Sequence, residues 1–395
     1  MQLGLSENLS ALVARRFTAA KEGGHLIFSP TQLSNIQTLG IPVTTQHLSH
    51  HILTRKYIRY YANYLARSLA CMLQFQLRYC PALAKKPTAT PKPEAGDGHP
   101  PAVTKKPDPF ENPSPELLIA QIPAQNPAYN LVLNKFPVIP DHFILATREW
   151  KSQTDLLEKG DLEATYACVK TWAEVGAGKR LFAFFNSGED SGASQPHRHI
   201  QFLPIEATAQ QEGEGEGEGK RSVWRPLIDV AVEEGGSKSK AHPEYRWSDR
   251  LPFAHFALPL PSNPSAETLH AIYLSLYRAA VAAAAAAEGK PHHDHDPHQT
   301  DGEAVISHNL AMTESAMMIC PRRNESASIS LGKKGAGDEV AGAGVIALNG
   351  TILAGTLMVK AEAEWNELRR NPEVLGSVLA AIGYPAEVAR SISSL

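Results

Sequence analysis

A chain of 395 residues is longer than one ordinary domain needs, and at ~100–200 residues per domain it predicts two. With 38 Lys and Arg against 41 Asp and Glu, the formal charge is −3, so no excess of basic charge argues for non-specific binding of nucleic acid or anionic membranes. Hydrophobic residues make up 43% of the chain, enough for a sizeable core and too many for disorder throughout.

The first 24 residues read as an amphipathic helix with charges along its length, without the apolar centre of a secretory signal. CMLQFQLRY (71–79) puts Leu73, Phe75, Leu77 and Tyr79 on one face and Gln74, Gln76 and Arg78 on the other, the pattern of a half-buried strand. From about 87 to 115 the chain is rich in Pro, Lys, Gly and Asp, a composition that predicts a solvated loop. YNLVLNKFPVIPDHFILAT (129–147) predicts two strands joined by a Pro-containing turn. Over 154–175, Leu156, Leu157, Leu162, Tyr166, Val169 and Trp172 recur at helical spacing. LFAFFN (181–186) and HIQFLP (199–204) predict an antiparallel pair across a loop of small residues.

QQEGEGEGEGK marks an acidic linker at 209–221, which divides the chain into regions 1–208 and 222–395. The second region predicts a strand at 253–260, a long helix through 266–287, strands near 304–320 and 344–359, and short terminal helices. EGKPHHDHDPHQTDG (288–302) predicts another solvated loop, its His292, His293, His295 and His298 set among Pro, Asp and Gly. The longest apolar run, 279–287, falls well short of the ~20 residues of a membrane span. Cys71, Cys80, Cys168 and Cys320 form no C-x-x-C pair, which suits a reducing compartment rather than a disulfide framework or thiolate zinc site. The predicted class is α+β, antiparallel sheets flanked by helices. The expected location is the cytoplasm, with the nucleus also open to the protein.

Chemistry concentrates in FNSGEDSGASQPHRHIQFLP, residues 185–204. Alternate side chains of a strand share a face, so His197, His199 and Gln201 point one way and Arg198, Ile200 and Phe202 the other. Upstream, the small residues of Ser-Gly-Ala-Ser-Gln (191–195) let backbone N–H groups approach an anion, which suits phosphate oxygens. The two imidazoles alone fit a pair of zinc ligands or a nucleophile with its partner. The adjoining loop and the lack of a third ligand nearby favour a nucleophile that attacks phosphorus.

H-x-H-x-Q after such a loop resembles the transferase branch of the histidine-triad superfamily. Within it, LRYCPALAKKP (77–87), LVLNKFPVIPDHFILAT (131–147), the 185–204 segment and SHNLAMTESAMMICPRR (307–323) are similar to the fungal-type diadenosine tetraphosphate phosphorylases, or ATP adenylyltransferases. The resemblance implies a histidine-triad-like sheet, with the C-terminal region completing a nucleotide cleft. It implies that His199 becomes adenylylated, that His197 orients it, and that Gln201 hydrogen-bonds the α-phosphoryl group. Asn186, Gly192, Ala193, Ser194 and Gln195 match its phosphate-binding positions, and Asn134 and Lys135 its N-K-F-P element. The polyphosphate lysine is assigned to Lys86, with Lys85 beside it. Asn309, Met312 and Thr313 match a nucleotide-contacting element, and Met318 and Arg322 lie close behind. Glu314 stands where the family often has a basic residue.

The implied reaction is phosphorolysis of diadenosine tetraphosphate to ATP and ADP, with Mg²⁺ accompanying the polyphosphate and sulfate as a side acceptor. Gln201 cannot titrate, which argues against a hydrolase of the same superfamily. A hexose-1-phosphate uridylyltransferase, a zinc-dependent binding module and a silent nucleotide sensor are the other readings. The partners expected are small nucleotides and phosphate, with no nucleic acid or membrane, on a monomer.

Overall fold

The computed structural model describes residues 1–38, 73–85, 108–174, 179–205, 225–234, 245–248, 250–289, 296, 298–332 and 342–392. The acidic linker, Cys71, Lys86 and most of the His-rich loop lie outside these residues. Helix α1 (Leu9–Glu22) starts where the Asn8 side chain accepts from the Ser10 N–H, answering one of the donors a first turn leaves open. Strands β1 (Gln32–Thr38) and β2 (Leu73–Tyr79) pair antiparallel. Leu73, Phe75 and Leu77 enter the core as the alternation predicts. Gln76 and Arg78 are buried as well, which the half-buried pattern does not anticipate. Arg78 donates to the Thr31 hydroxyl at 3.1 Å, and β2 is the middle strand of three, flanked on its other side by the parallel β13 (Thr356–Val359).

Eight strands form the central sheet: β3 (Leu118–Ile122), β4 (Tyr129–Leu133), β5 (Phe143–Thr147), β6 (Leu181–Ser187), β7 (His199–Pro204), β8 (Phe256–Pro259), β9 (His308–Met312) and β10 (Ala316–Pro321). Their order is β3-β4-β5-β7-β6-β9-β10-β8, every neighbour antiparallel. β6 and β7 pair as predicted, Phe184 opposite Gln201. On its other side β6 pairs with β9, Asn186 opposite Asn309, so one sheet continues across the acidic run.

One face is covered by α1, α2 (Lys159–Ala173) and α4 (Ala266–Glu288), where Trp172, Tyr273 and Tyr277 meet Phe143, Phe185, Phe202 and Leu310. α2 starts later than the spacing predicts, because Asp161 accepts from the Glu158 N–H at 2.9 Å and closes a capping box there. By length and composition α4 could cross a bilayer, yet Leu269, Tyr273, Leu276, Tyr277, Ala280 and Ala283 are buried in the core. The opposite face packs Phe182, Leu203, Ala311 and Met318 against α3 (Leu227–Glu234), β2, α5 (Glu362–Arg370) and α6 (Val374–Ile382). Helix α7 (Ala386–Ile392) follows, and β11 (Ser326–Ser330), which the sequence does not predict, pairs with β12 (Ala343–Ala347), which falls at the start of the strands predicted near 344–359.

Arg198 points away from the His199 face, 3% exposed, with Nη1 2.8 Å from Asp161 and 2.9 Å from Glu158. Removing it strands a buried carboxylate, so Arg198→Ala should lower the unfolding free energy by about 3 kcal/mol. Chemical denaturation followed by tryptophan fluorescence measures this.

Candidate active site

His199 opens β7, and its ring Nδ1–H donates to the carbonyl of His197 at 2.8 Å. That bond selects the tautomer and leaves the lone pair on Nε2. Desolvation lowers the His199 pKa to about 4, so the ring is neutral at physiological pH. Only 3% of the residue is exposed.

His197 precedes the strand and is fully buried between two partners. Its Nδ1 lies 2.6 Å from Asp108 Oδ2, and its Nε2 lies 3.0 Å from the Thr147 hydroxyl. The other oxygen of Asp108 accepts the Phe110 N–H at 2.9 Å. That turn lays the Phe110 ring over His199 at 5.0 Å and edge-on to His197 at 5.9 Å. Within the stretch expected to be a solvated loop, Asp108 and Phe110 depart from that expectation, while Pro109, Glu111, Asn112, Ser114 and Pro115 are exposed as expected. Its Pro and acid content hides one ring that is buried and one carboxylate whose partner lies 89 positions away.

Gln201 is oriented from behind. His142 Nε2 is 3.1 Å from its Oε1, while His142 Nδ1 is 3.0 Å from Asn134 Nδ2. Since Asn134 can only donate to that ring nitrogen, His142 Nε2 carries the proton and Gln201 accepts it. The Gln201 amide N–H groups have no hydrogen-bond partner among the described residues and remain available as donors. Asn134 also accepts the Phe136 N–H at 2.9 Å, so its side chain shapes the turn and holds His142. Lys135 is exposed on the same turn, its ammonium 5.8 Å from the Phe136 ring.

The small-residue loop follows β6. Gly192 has φ +78, and a Cβ there would lie 2.8 Å from Asn349 Cβ, so a side chain is excluded on both counts. Gln153, Thr154, Gly188, Glu189, Ala193, Ser194, Gln195 and Pro196 line a cleft of about 280 Å³. The backbone N–H groups of Ala193, Ser194 and Gln195 have no hydrogen-bond partner among the described residues.

Three predicted site residues form the floor beneath this loop. Asn186 Oδ1 accepts from Asn309 Nδ2 and from the Gly350 N–H, each at 2.9 Å. Asn309 Nδ2 also donates to the Ser191 carbonyl at 2.9 Å, and Arg322 donates to Asn309 Oδ1 and to the Leu348 carbonyl. Arg322 is 1% exposed, and its role here is to tie strands and loop together.

Met312, Thr313 and Met318 are not brought to the cleft. Met312 sits opposite Ala183 and packs with Leu310 on the far face of the sheet, away from His199. Thr313 follows at the turn into β10, and Met318 is fully buried against the C-terminal helices. For Met312 and Thr313 the antiparallel register explains this: Asn309 lies beside Asn186, so residues three and four positions on lie ~10 Å or more down the strand. Glu314 is exposed beyond them. Lys86 lies outside the described residues.

Sequence reasoning missed Asp108, Phe110, Thr147, His142 and Gln153. His142 stands beside the predicted strand start and could have been weighed with its neighbours. Asp108 has no short-range signal.

Two family models match the chain: an Ap4A phosphorylase N-terminal domain over residues 65–214 and an ATP adenylyltransferase C-terminal domain over 249–385. Two proteins of Saccharomyces cerevisiae are similar in sequence. Diadenosine 5',5'''-P1,P4-tetraphosphate phosphorylase 2 is 24% identical over 392 residues, 96% of either chain. Protein APA1 is 27% identical over 261 residues, 64% of this chain and 68% of that one. The crystal structure of yeast Ap4A phosphorylase Apa2 in complex with Ap4A has a TM-score of 0.66 at 23% identity, covering 96% of this chain and 99% of that chain. The likeness at that identity establishes a shared fold.

Burial lowers His199, His255 and His308 alike to about 4. In an unfolded chain each titrates near ~6.5, so between these values the unfolded state binds more protons. Their contribution to stability is full above about pH 6.5 and is lost as pH falls toward about 4. Thermal unfolding across that range should show the decline. Imidazole ¹⁵N spectra at about pH 5.5 should still show an unprotonated Nε2 on His199.

Proposed function

The chain belongs to the family of diadenosine tetraphosphate (Ap4A) phosphorylases and ATP adenylyltransferases, and from that premise we propose that it splits Ap4A with phosphate into ATP and ADP. The observation that carries this reading is the state of His199: a buried, neutral imidazole whose Nδ1–H is engaged, which leaves the lone pair on Nε2, in the strand that follows a loop with unpartnered amides.

The Nε2 lone pair attacks the α-phosphorus at one end of Ap4A. The bond from that phosphorus to the bridging oxygen breaks, and the electron pair leaves with ATP. A phosphate oxygen then attacks the same phosphorus, the P–N bond breaks, ADP departs, and Nε2 regains its lone pair. Because the acceptor is already anionic, neither step needs a titrating group at Gln201. The Gln201 amide, aimed by His142, donates to a phosphoryl oxygen, and the N–H groups of Ala193, Ser194 and Gln195 stabilise charge developing there. Asp108 and Thr147 hold His197, whose carbonyl in turn holds the nucleophile. With both ring nitrogens so engaged, His197 is a poor zinc ligand, which favours the nucleophile over the zinc-site reading. The phosphoramidate conserves the transferred group's energy, so the reaction runs readily in both directions. A divalent cation, Mg²⁺ foremost, enters on the polyphosphate as part of the substrate.

His199→Ala should abolish phosphate-dependent formation of ATP and ADP from Ap4A, lowering turnover at least about 10³-fold. Chromatography of products made with and without orthophosphate reads this directly. Wild-type protein incubated with α-labelled ATP should carry an acid-labile, base-stable adenylyl group. Turnover that is equally fast without phosphate overturns the proposal.

A further inference from the structure

The pairing of β6 with β7 stops short of the nucleophile. The ladder runs from Leu181 opposite Pro204 to Phe184 opposite Gln201, and its continuation would set Asn186 opposite His199. Both residues are in strands, yet they do not pair with one another. Asn186 pairs onward with Asn309, and His199 pairs with Ala146 on β5.

Between them lies the side-chain amide of Gln153, 2% exposed. Its Oε1 accepts the His199 N–H at 2.7 Å. Its Nε2 donates to the Asn186 carbonyl at 2.7 Å and to the His199 carbonyl at 3.2 Å. One carboxamide thus answers the donor and the two acceptors that face the gap from the opposed strands. Direct pairing would hold the two Cα atoms ~5.5 Å apart, too close for an inserted amide. The strands are therefore parted at His199, and the cleft bordered by Gln153 and the 193–196 loop opens at that point.

We infer that Gln153 is a positioning residue: its amide wedges β6 from β7 and fixes the backbone of His199 while the His197 carbonyl fixes the ring. Backbone and ring are then held independently, and the lone pair has one direction. The inference rests on the proposed nucleophilic role of His199.

The test compares wild type with Gln153→Ala and Gln153→Glu, each checked by thermal unfolding. Without the amide, the N–H and carbonyl of His199 and the carbonyl of Asn186 lose the group that bridges them across the gap, so Gln153→Ala should lose about 100-fold in kcat with KM within about threefold of wild type. In Gln153→Glu the ionised carboxylate faces two carbonyl oxygens and cannot donate. Its protonated form can, and that environment raises the carboxyl pKa. The kcat of this variant relative to wild type should therefore recover as pH falls from about 8 to about 5.5, which a merely structural role would not produce. If Gln153→Ala does not fold, this profile decides. A Gln153→Ala enzyme with wild-type kcat, or a Gln153→Glu loss that is flat with pH, overturns the wedge. Absence of the adenylyl label in wild type overturns instead the reaction on which it rests.

Discussion

A hydrogen bond of 2.8 Å between the His199 ring and the carbonyl two residues before it determines which nitrogen of a buried imidazole keeps its lone pair. In water the two tautomers interconvert and the ring protonates near ~6.5. Here burial suppresses the charged form and the carbonyl suppresses the other tautomer. Contacts on His197 keep that carbonyl in place. Asp108 and Thr147 grip the side chain of His197 from either end, and Phe110 closes over both rings.

The same ordering of donors governs Gln201. Asn134 can only donate to His142, so His142 can only donate to Gln201, and the amide of Gln201 is turned outward. A carboxamide fixed in this way supplies hydrogen bonds but no proton, which matches an acceptor that brings its own negative charge. In the proposed reaction, transfer is favoured over hydrolysis by a group that cannot titrate, supported by one whose tautomer is set.

The second half of the chain contributes to the site mainly through the sheet. β9 continues β6, and Asn309 and Arg322 lock the floor beneath the small-residue loop by hydrogen bonds to Asn186, to Ser191 and to the carbonyl of Leu348. Asn309 matches a nucleotide-contacting element of the family and Arg322 lies close behind it, yet their polar atoms are engaged by the protein itself. In the proposed reaction, their influence on phosphate would pass through the shape of the loop.

Much of this was legible in one dimension, because it depends on local periodicity. Strand alternation gave the pairing of 181–186 with 199–204, and it set Gln201 apart from Ile200 and Phe202 before any coordinates. The helix over 266–287, ended by Gly289, follows from composition and caps. What periodicity cannot supply is the partner of a residue far along the chain. Asp108 sits in a stretch that looks solvated, Gln153 in an ordinary connection, and Met312 in a motif that suggests contact with nucleotide. The sequence by itself determined the alternation that sets Gln201 on its face and the small residues of the loop. Only the tertiary structure decided that Asp108 reaches His197, that Gln153 parts two strands, and that Met312 faces away. Burial and register are properties of strands brought together, and no short window of sequence contains them.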